Sequence, residues 1–361
     1  MSEPLEAPAA PRRANVIGSG LIGGSVAMGL RANEWHVTIS DSDPEVAARA
    51  VEVGAGDAIG LDPDAELTVV AVPVSMIADE VKRALAGTGG YVTDVGSTKV
   101  DICHAVDDPR FVGGHPMAGS EQDGIDGARP QLFQGAMWVL TPMETTDEMA
   151  FAMVRRVVKL LGAESIALTP RAHDQMVAQV SHIPHLTAAS LMVLADNTSV
   201  EHRALLRLAA GGFRDMTRIS AGRPAIWPDI CFSNRTAIMT GLDRLTEALT
   251  GIRNLIEVED REGLVDMLQQ ARQARINLPT GFEAAESMVE IAVPVADRPG
   301  EIAAIATLAS ELDVNIFDLE LSHSGEGRKG IMVLIVDAKF SERLLGGLLA
   351  RGYRPTSRVL H

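Results

Sequence analysis

Residues 14–40 run ANVIGSGLIGGSVAMGLRANEWHVTIS. The apolar run ANVIG reads as a strand, GSGLIGG as a turn, SVAMGLRA as an Ala/Leu-type helix and HVTIS as a second, β-branched strand. Gly18, Gly20 and Gly23 make G-x-G-x-x-G between strand and helix. Glycines at those places allow a tight turn and let the backbone approach a pyrophosphate, which would rest on the helix N-terminus. The glycine pattern alone is weak, but its context is specific. Asp41 ends the second strand 18 residues after Gly23, where a carboxylate would accept from a ribose 2′-hydroxyl. No Lys or Arg follows Asp41 until Arg49, so NAD is favoured over NADP.

Working outward, the alternation continues. PEVAARAVEVG is helical, LTVVAVPV is a continuous β-rich run of the kind buried on both faces of a parallel sheet, MIADEVKRALA is helical, and YVTDVG is a strand. FVGGHPMAG and MWVLTP add strand-like ends, and a helix follows from Asp147 to Leu161. This order implies an α/β, Rossmann-type doubly wound sheet over residues 14–170. Its candidate cofactor contacts are Gly18, Gly20, Leu21, Ile22, Gly23 and Asp41, with Val72 and Pro73 at the end of LTVVAVPV. Residues 1–13, MSEPLEAPAAPRR, read as a disordered tail without the apolar stretch of a signal peptide.

Residues 171–280 carry 3.6-period apolar spacing and almost no strand signal, so an all-helical domain is expected. Its apolar helices are long for so few residues, which implies a face buried against a second subunit in a homodimer. A linker is placed at 281–287, within PTGFEAAES. Residues 288–361 then read strand, helix, strand, strand, helix, strand, a ferredoxin-like βαββαβ module.

The chain has 361 residues, 32 Lys+Arg and 48 Asp+Glu, a formal net charge of -16. Nucleic-acid binding needs a basic surface, so that class is excluded, and docking on anionic membrane is disfavoured. No uncharged apolar run approaches the ~18–20 residues that span a bilayer. Two cysteines, Cys103 and Cys231, are too few for a disulfide scaffold and suggest a reducing, cytoplasmic setting. The acidity is uneven: residues 1–170 hold 12 basic and 24 acidic side chains, whereas residues 171–235 hold seven arginines against five acids. Guanidinium forks match carboxylates, so the second stretch is a candidate site for an anionic substrate. A general preference for Arg over Lys would explain the composition equally.

A nicotinamide enzyme also needs a proton-handling group. His115 in GGHPMAGSE follows a strand at the sheet edge, and Ser97 in DVGSTK, ending the preceding strand, could hydrogen-bond its imidazole. A structural histidine and a helix-capping serine are the plain alternatives. SHIPH places Ser181, His182 and His185 on about one helical turn, where they suit a substrate carbonyl or carboxylate. The pattern lacks the ligand set of a metal site, so no metal is expected. Arg214, Asp215, Arg218 and Trp227 crowd into the next polar stretch, with Arg218 a candidate carboxylate clamp or merely an acid-paired surface arginine.

Taken in order, GSGLIGGSVAMGL, VVAVPVS, DVGSTK, GGHPMAGSE, HDQMVAQVSHIPHL and GGFRDMTRI followed by IWPDI resemble the prephenate/arogenate dehydrogenases of tyrosine biosynthesis. VPVADRPGEIAAIA and DVNI resemble an ACT regulatory domain. The resemblance implies NAD-dependent oxidative decarboxylation of prephenate to 4-hydroxyphenylpyruvate, or of arogenate to tyrosine. It implies that His115, held by Ser97, takes the proton of the ring hydroxyl, and that Arg218 binds a carboxylate. Ser181 and His185 would bind substrate, with His185 near its side chain, Trp227 would line the pocket, and Glu121 would pair with the arginine as a gate. The helical domain would be the dimerisation domain. In the ACT module, Asp297, Pro299, Gly300 and Asn315 would meet an amino-acid effector such as tyrosine. A β-hydroxyacid dehydrogenase or imine reductase, or a non-catalytic dinucleotide and amino-acid sensor, would share the first domain but not the full set of motifs.

Overall fold

The computed structural model describes residues 11–119, 122–201, 209–278, 288–296, 300–323 and 329–359. The chain divides into two compact units, Met1–Ala248 and Leu249–His361.

The first unit is built on eight strands: β1 (Arg13–Ile17), β2 (His36–Ser40), β3 (Ala58–Ile59), β4 (Leu67–Val70), β5 (Tyr91–Asp94), β6 (Phe111–Pro116), β7 (Met137–Thr141) and β8 (Glu164–Ala167). They lie in the order β3-β2-β1-β4-β5-β6-β7-β8. Neighbours run parallel except at β6 and β7, so β7 and β8 form a reversed edge on a nucleotide-binding sheet. The order turns back between β1 and β4, the place where such sheets open a crevice for ligands. β4, Leu67–Val70, is buried along its whole length, as a strand covered by helices on both faces must be.

The covering helices are α1 (Leu21–Ala32), α2 (Pro44–Glu52), α3 (Val74–Gly87), α4 (Val100–Ala105) and α5 (Glu148–Leu160). Local chemistry starts several of them. Asp43 caps α2 by accepting from Glu45 N, with Pro44 in the first turn, and Asp147 caps α5 by accepting from Met149 N. Val26 and Leu30 on α1, Val16, Val37, Ile39 and Leu67 in the strands, and Val154 and Val158 on α5 share one core. Each such side chain contributes about 1.5–3 kcal/mol by leaving water.

Two boundaries differ from the sequence expectation. Ordered structure starts before residue 14: Arg13 opens β1, and Arg12 pairs with Glu66 at 2.7 Å and lies 4.3 Å over the Trp35 ring. Only residues 1–10 of the expected tail lie outside the described residues. β8 is an added strand that the apolar pattern does not announce, because three of its four residues are exposed.

After the sheet the chain is helical: α6 (Pro170–Val177), a π-helical turn (Ala178–His182), α7 (Ile183–Glu201), α8 (Gly211–Thr217), α9 (Trp227–Ser233), α10 (Arg235–Glu257) and α11 (Arg261–Ile276). Thr169 caps α6 with Pro170 in its first turn. The π turn precedes Pro184, which has no N–H to give to Val180 and whose ring would crowd that carbonyl in a regular α-helix. Pro170–Asn197 is by length and composition apolar enough to cross a bilayer. It is not an uncharged run, however, since His173 and Asp174 within it are buried and bonded to β6 and to the start of α4.

In the second unit β9 (Met288–Ala296), α12 (Glu301–Glu311), β10 (Ile316–His323), β11 (Lys329–Asp337), α13 (Ala338–Ala350) and β12 (Thr356–Val359) follow in βαββαβ order. The antiparallel sheet runs β10-β11-β9-β12. Ile291, Val293, Ile305, Met332, Leu334, Leu344 and Leu348 form its core.

Candidate active site

His115 sits near the carboxyl end of β6, half-buried. The backbone beneath it is clamped. Lys99, wholly buried, donates from Nζ to Gly114 O at 2.8 Å and is ion-paired with the buried Asp94. Asp94 in turn accepts from Gly114 N at 3.1 Å and from Gly96 N at 2.8 Å. Gly114 has to lack a side chain, since a Cβ there would lie 2.7 Å from Asp94 O and 3.0 Å from Trp138 Nε1. β5, β6 and the segment ending at Lys99 therefore hold His115 in one position.

Ser97 does not hold the imidazole as expected. His115 Nδ1 meets His173 Nε2 at 2.8 Å, and His173 Nδ1 meets Asp174 Oδ1 at 2.7 Å. Among the described residues Ser97 makes no hydrogen bond to the ring, although it lies just beyond β5, beside β6. Asp174 also accepts from Lys99 N at 2.8 Å and Val100 N at 2.9 Å, which starts α4. Burial, then the neighbouring His173, Lys99 and His182, push the His115 pKa well below the ordinary imidazole value. His115 is thus held toward its neutral form relative to a free imidazole.

The helical side brings together three residues anticipated from SHIPH and IWPDI. His185 stacks on Trp227 with centroids 3.6 Å apart and planes at 11°. His182, buried and 6.1 Å from Trp227 in an edge arrangement, has a pKa lowered to about 4, chiefly by burial. Its Nδ1 lies 3.3 Å from Asn234 Nδ2, which also donates to Asp174 O at 2.7 Å. Ser181 lies half-exposed on the π turn, and Arg218 opens an exposed 3-10 turn, Arg218–Ala221, after α8. Ser75 donates to Asp229 at 2.6 Å and Thr98 pairs with Ser233 at 2.9 Å, tying the sheet side to α9. Glu121, Asp297 and Pro299 lie outside the described residues. Gly300 caps α12 in a left-handed conformation at φ 97°, and Asn315, exposed, precedes β10.

His173, Asp174, Lys99, Asp94 and Asn234 were not among the expected functional residues. The one local signal for the first two is an adjacent His and Asp inside an otherwise apolar helical run.

The glycine turn fits a dinucleotide. Gly18 has φ +92°, and a Cβ on it would strike the Ala71 carbonyl, as one on Gly23 would strike Gly18 O. Gly20 precedes α1 with open space around its would-be Cβ, and the first turn of α1, which includes Leu21 and Ile22, carries no acid. That leaves free backbone donors for a pyrophosphate. Val72 and Pro73 lie between the end of β4 and α3, beside this turn. Asp41, just after β2, accepts from Ser19 N at 2.8 Å and Ser19 Oγ at 3.0 Å, which holds its carboxylate against the glycine turn. Arg49, the first cation after it, is committed to Glu52 and Asp126 and does not serve a 2′-phosphate.

Sheet, glycine turn and clamped neutral imidazole together define a dinucleotide-dependent dehydrogenase with a helical second domain. Residues 26–167 match the family described as prephenate dehydrogenase, nucleotide-binding domain, and residues 169–270 match prephenate dehydrogenase, dimerization domain. The prephenate dehydrogenase of Bacillus subtilis is 32% identical over 87% of this chain and 89% of its own length. Prephenate dehydrogenase of Aquifex aeolicus, solved with hydroxyphenyl propionate and NAD+, superposes with a TM-score of 0.70 at 28% identity, covering 76% of this chain and 100% of that one. Synechocystis arogenate dehydrogenase gives a TM-score of 0.65 at 31% identity, covering 73% and 98%. The chain belongs to the prephenate dehydrogenase family, and it is an NAD-dependent oxidoreductase of tyrosine biosynthesis.

Proposed function

We propose that His115 is the base of the reaction, with prephenate as the principal substrate. The observation that carries this reading is an imidazole fixed at the carboxyl end of β6, over the Lys99–Asp94 clamp on Gly114 and bonded through Nδ1 to His173, with its pKa held well below the ordinary value. NAD+ supplies the hydride acceptor. His115 takes the proton of the ring hydroxyl as the hydride leaves the same carbon, and the carboxylate on the opposite ring carbon departs as CO2. Its bonding electrons aromatise the ring, and His115 returns the proton to the resulting phenolate oxygen. Aromatisation and loss of CO2 make the step effectively irreversible. Ser97 lines the hydroxyl end, Ser181 and His185 meet the substrate, Trp227 walls the pocket, and Arg218 binds a carboxylate with Glu121 as its gate.

Prephenate carries a keto side chain where arogenate carries an ammonium. The Bacillus subtilis and Lactococcus lactis relatives are prephenate dehydrogenases, which favours prephenate. The expected result of a side-by-side assay is a higher kcat/KM on prephenate. The opposite ranking would reassign the chain to arogenate.

We further propose a functional division into 14–170 for cofactor, 171–280 for substrate and dimerisation, a linker at 281–287, and 288–361 as an ACT module. The βαββαβ order supports the last assignment. The Bacillus subtilis match, at 87% of the chain, is longer than residues 1–280 and enters this module. In the second unit, exposed Leu249 and Ile256 on α10 and Val265 and Leu268 on α11 suit burial in a homodimer. Asp297, Pro299, Gly300 and Asn315 would take an aromatic amino acid as feedback effector. Tyrosine should inhibit the full chain and lose most of its effect on one ending near Pro279; equal sensitivity of the two rules the effector site out. The reaction is cytoplasmic in this reading, with no nucleic-acid or membrane partner.

A further inference from the structure

We propose that His173 and Asp174 are positioning residues that lock His115 in the tautomer carrying its proton on Nδ1, leaving Nε2 as the base. The inference deepens the reading of His115 given above and rests on it for the reaction, though not for the tautomer.

Three side chains lie in sequence: Asp174 Oδ1 is 2.7 Å from His173 Nδ1, and His173 Nε2 is 2.8 Å from His115 Nδ1. A carboxylate can only accept, and a neutral imidazole has one donor and one acceptor nitrogen. Asp174 therefore fixes the proton of His173 on Nδ1, and His173 Nε2 is left as an acceptor. Among the described residues the group that meets that acceptor is His115 Nδ1–H. With its one proton committed there, His115 presents a bare lone pair at Nε2, the nitrogen without a protein partner among the described residues. The tautomer at the reacting ring is thus set two residues away, by a carboxylate that never touches substrate.

The surroundings keep the direction of this chain from reversing. His173 is fully buried and Asp174 is 4% exposed, so water does not compete for either bond. Asp174 is held by the N–H groups of Lys99 and Val100, donors that require the carboxylate as acceptor. His173 and Asp174 belong to α6, whose N-terminus is fixed by Thr169 and Pro170. The π turn beginning at Ala178 lets the same run present His182 to Asn234, which bonds the Asp174 carbonyl. The charged and titratable groups facing His115 are His173, Lys99 and His182, with Asp94 and Asp174 behind them. Lys99, His173 and His182 all disfavour a charge on the ring, as burial does.

The test uses the full chain and two variants, His173→Phe and His173→Gln. Phenylalanine fills the site but offers no acceptor, while the glutamine amide oxygen reaches where Nε2 stood. In 15N-histidine-labelled wild-type enzyme, with the His115 signals assigned by their loss in His115→Asn, Nδ1 should resonate as a protonated nitrogen and Nε2 as a bare one. This readout needs no turnover, so it stands even if prephenate proves the wrong substrate. His173→Phe should lose kcat by about 10²–10⁴-fold, the range of a misplaced general base, with KM for prephenate within about threefold of wild type. His173→Gln should recover at least about tenfold of that loss and restore the Nδ1–H signature. A wild-type ring protonated on Nε2 overturns the proposal, as does a His173→Phe enzyme with unchanged kcat. If His173→Phe does not fold, the wild-type tautomer and the His173→Gln rate still decide it.

Discussion

Replacing His115 with asparagine is expected to lower kcat by about 10³-fold or more, with NAD+ affinity unchanged. The amide has no basic nitrogen, so the ring hydroxyl keeps its proton at the moment the hydride leaves. The dinucleotide turn at Gly18–Gly23 belongs to β1 and α1, whereas His115 belongs to β6, so binding of NAD+ should survive. The pH dependence follows from the same site. A base works only when neutral, so activity is lost as pH falls through its pKa. Burial and the neighbouring His173, Lys99 and His182 hold the His115 pKa well below the usual value. The acid limb of kcat/KM should therefore lie clearly below pH ~6.5, the ordinary imidazole range. Near-full activity at pH 6 is the expected observation. A limb at or above neutrality would show that a different group is being titrated.

Replacing Lys99 with methionine should be the most damaging change to stability. The ammonium is wholly buried, paired with the equally buried Asp94 and bonded to Gly114 O. Methionine keeps the volume of the stem but strands a carboxylate in the sheet. Removing one partner of a buried ion pair costs about 3–5 kcal/mol, because the remaining charge is uncompensated. Two lesions should appear together: a much lower midpoint in thermal or denaturant unfolding, and a lower kcat in the protein that remains folded, since Gly114 and His115 lose their anchor. Asp94→Asn should show the same pairing of effects more mildly, because the amide can still accept from a backbone N–H. A Lys99→Met protein with wild-type unfolding would mean that Asp94 finds another partner.

Much of this was legible in the residues. The stretch 14–40 carries its own turn chemistry, and β1, α1 and β2 form where apolar runs and glycines place them. β4, β5 and β6 and the βαββαβ pattern of the second unit likewise follow from periodicity, whereas the two-residue β3, Ala58–Ile59, does not. What periodicity misses is structure without an apolar signature. β8, ESIA, is mostly exposed, and Arg12 and Arg13 look like tail until Glu66, Asp62 and Trp35 are brought to them. The π turn is invisible because nothing in AQVSH distinguishes an i+5 bond from an i+4 bond.

The site was half legible. Motif order pointed to His115, His185 and Trp227, and the last two do stack. It also pointed to Ser97 as the partner of His115, whereas the ring turns to His173, 58 residues along the chain. A lysine is ordinarily read as a surface residue, so Lys99 gave no hint of being buried beneath the catalytic strand. Both misses have one cause: they depend on contacts between separate elements, which local pattern does not contain.

The net charge of -16 makes long-range attraction of an anionic substrate unfavourable. Binding must then come from local features, namely the open N-terminus of α1 and the arginines between Arg171 and Arg235. The most direct test of the whole account is purified protein mixed with NAD+ and prephenate, followed at once by NADH absorbance and by CO2 release. The account predicts equal amounts of NADH, CO2 and 4-hydroxyphenylpyruvate, all abolished together in His115→Asn. NADH formed without CO2, or turnover that persists in that variant, would contradict it.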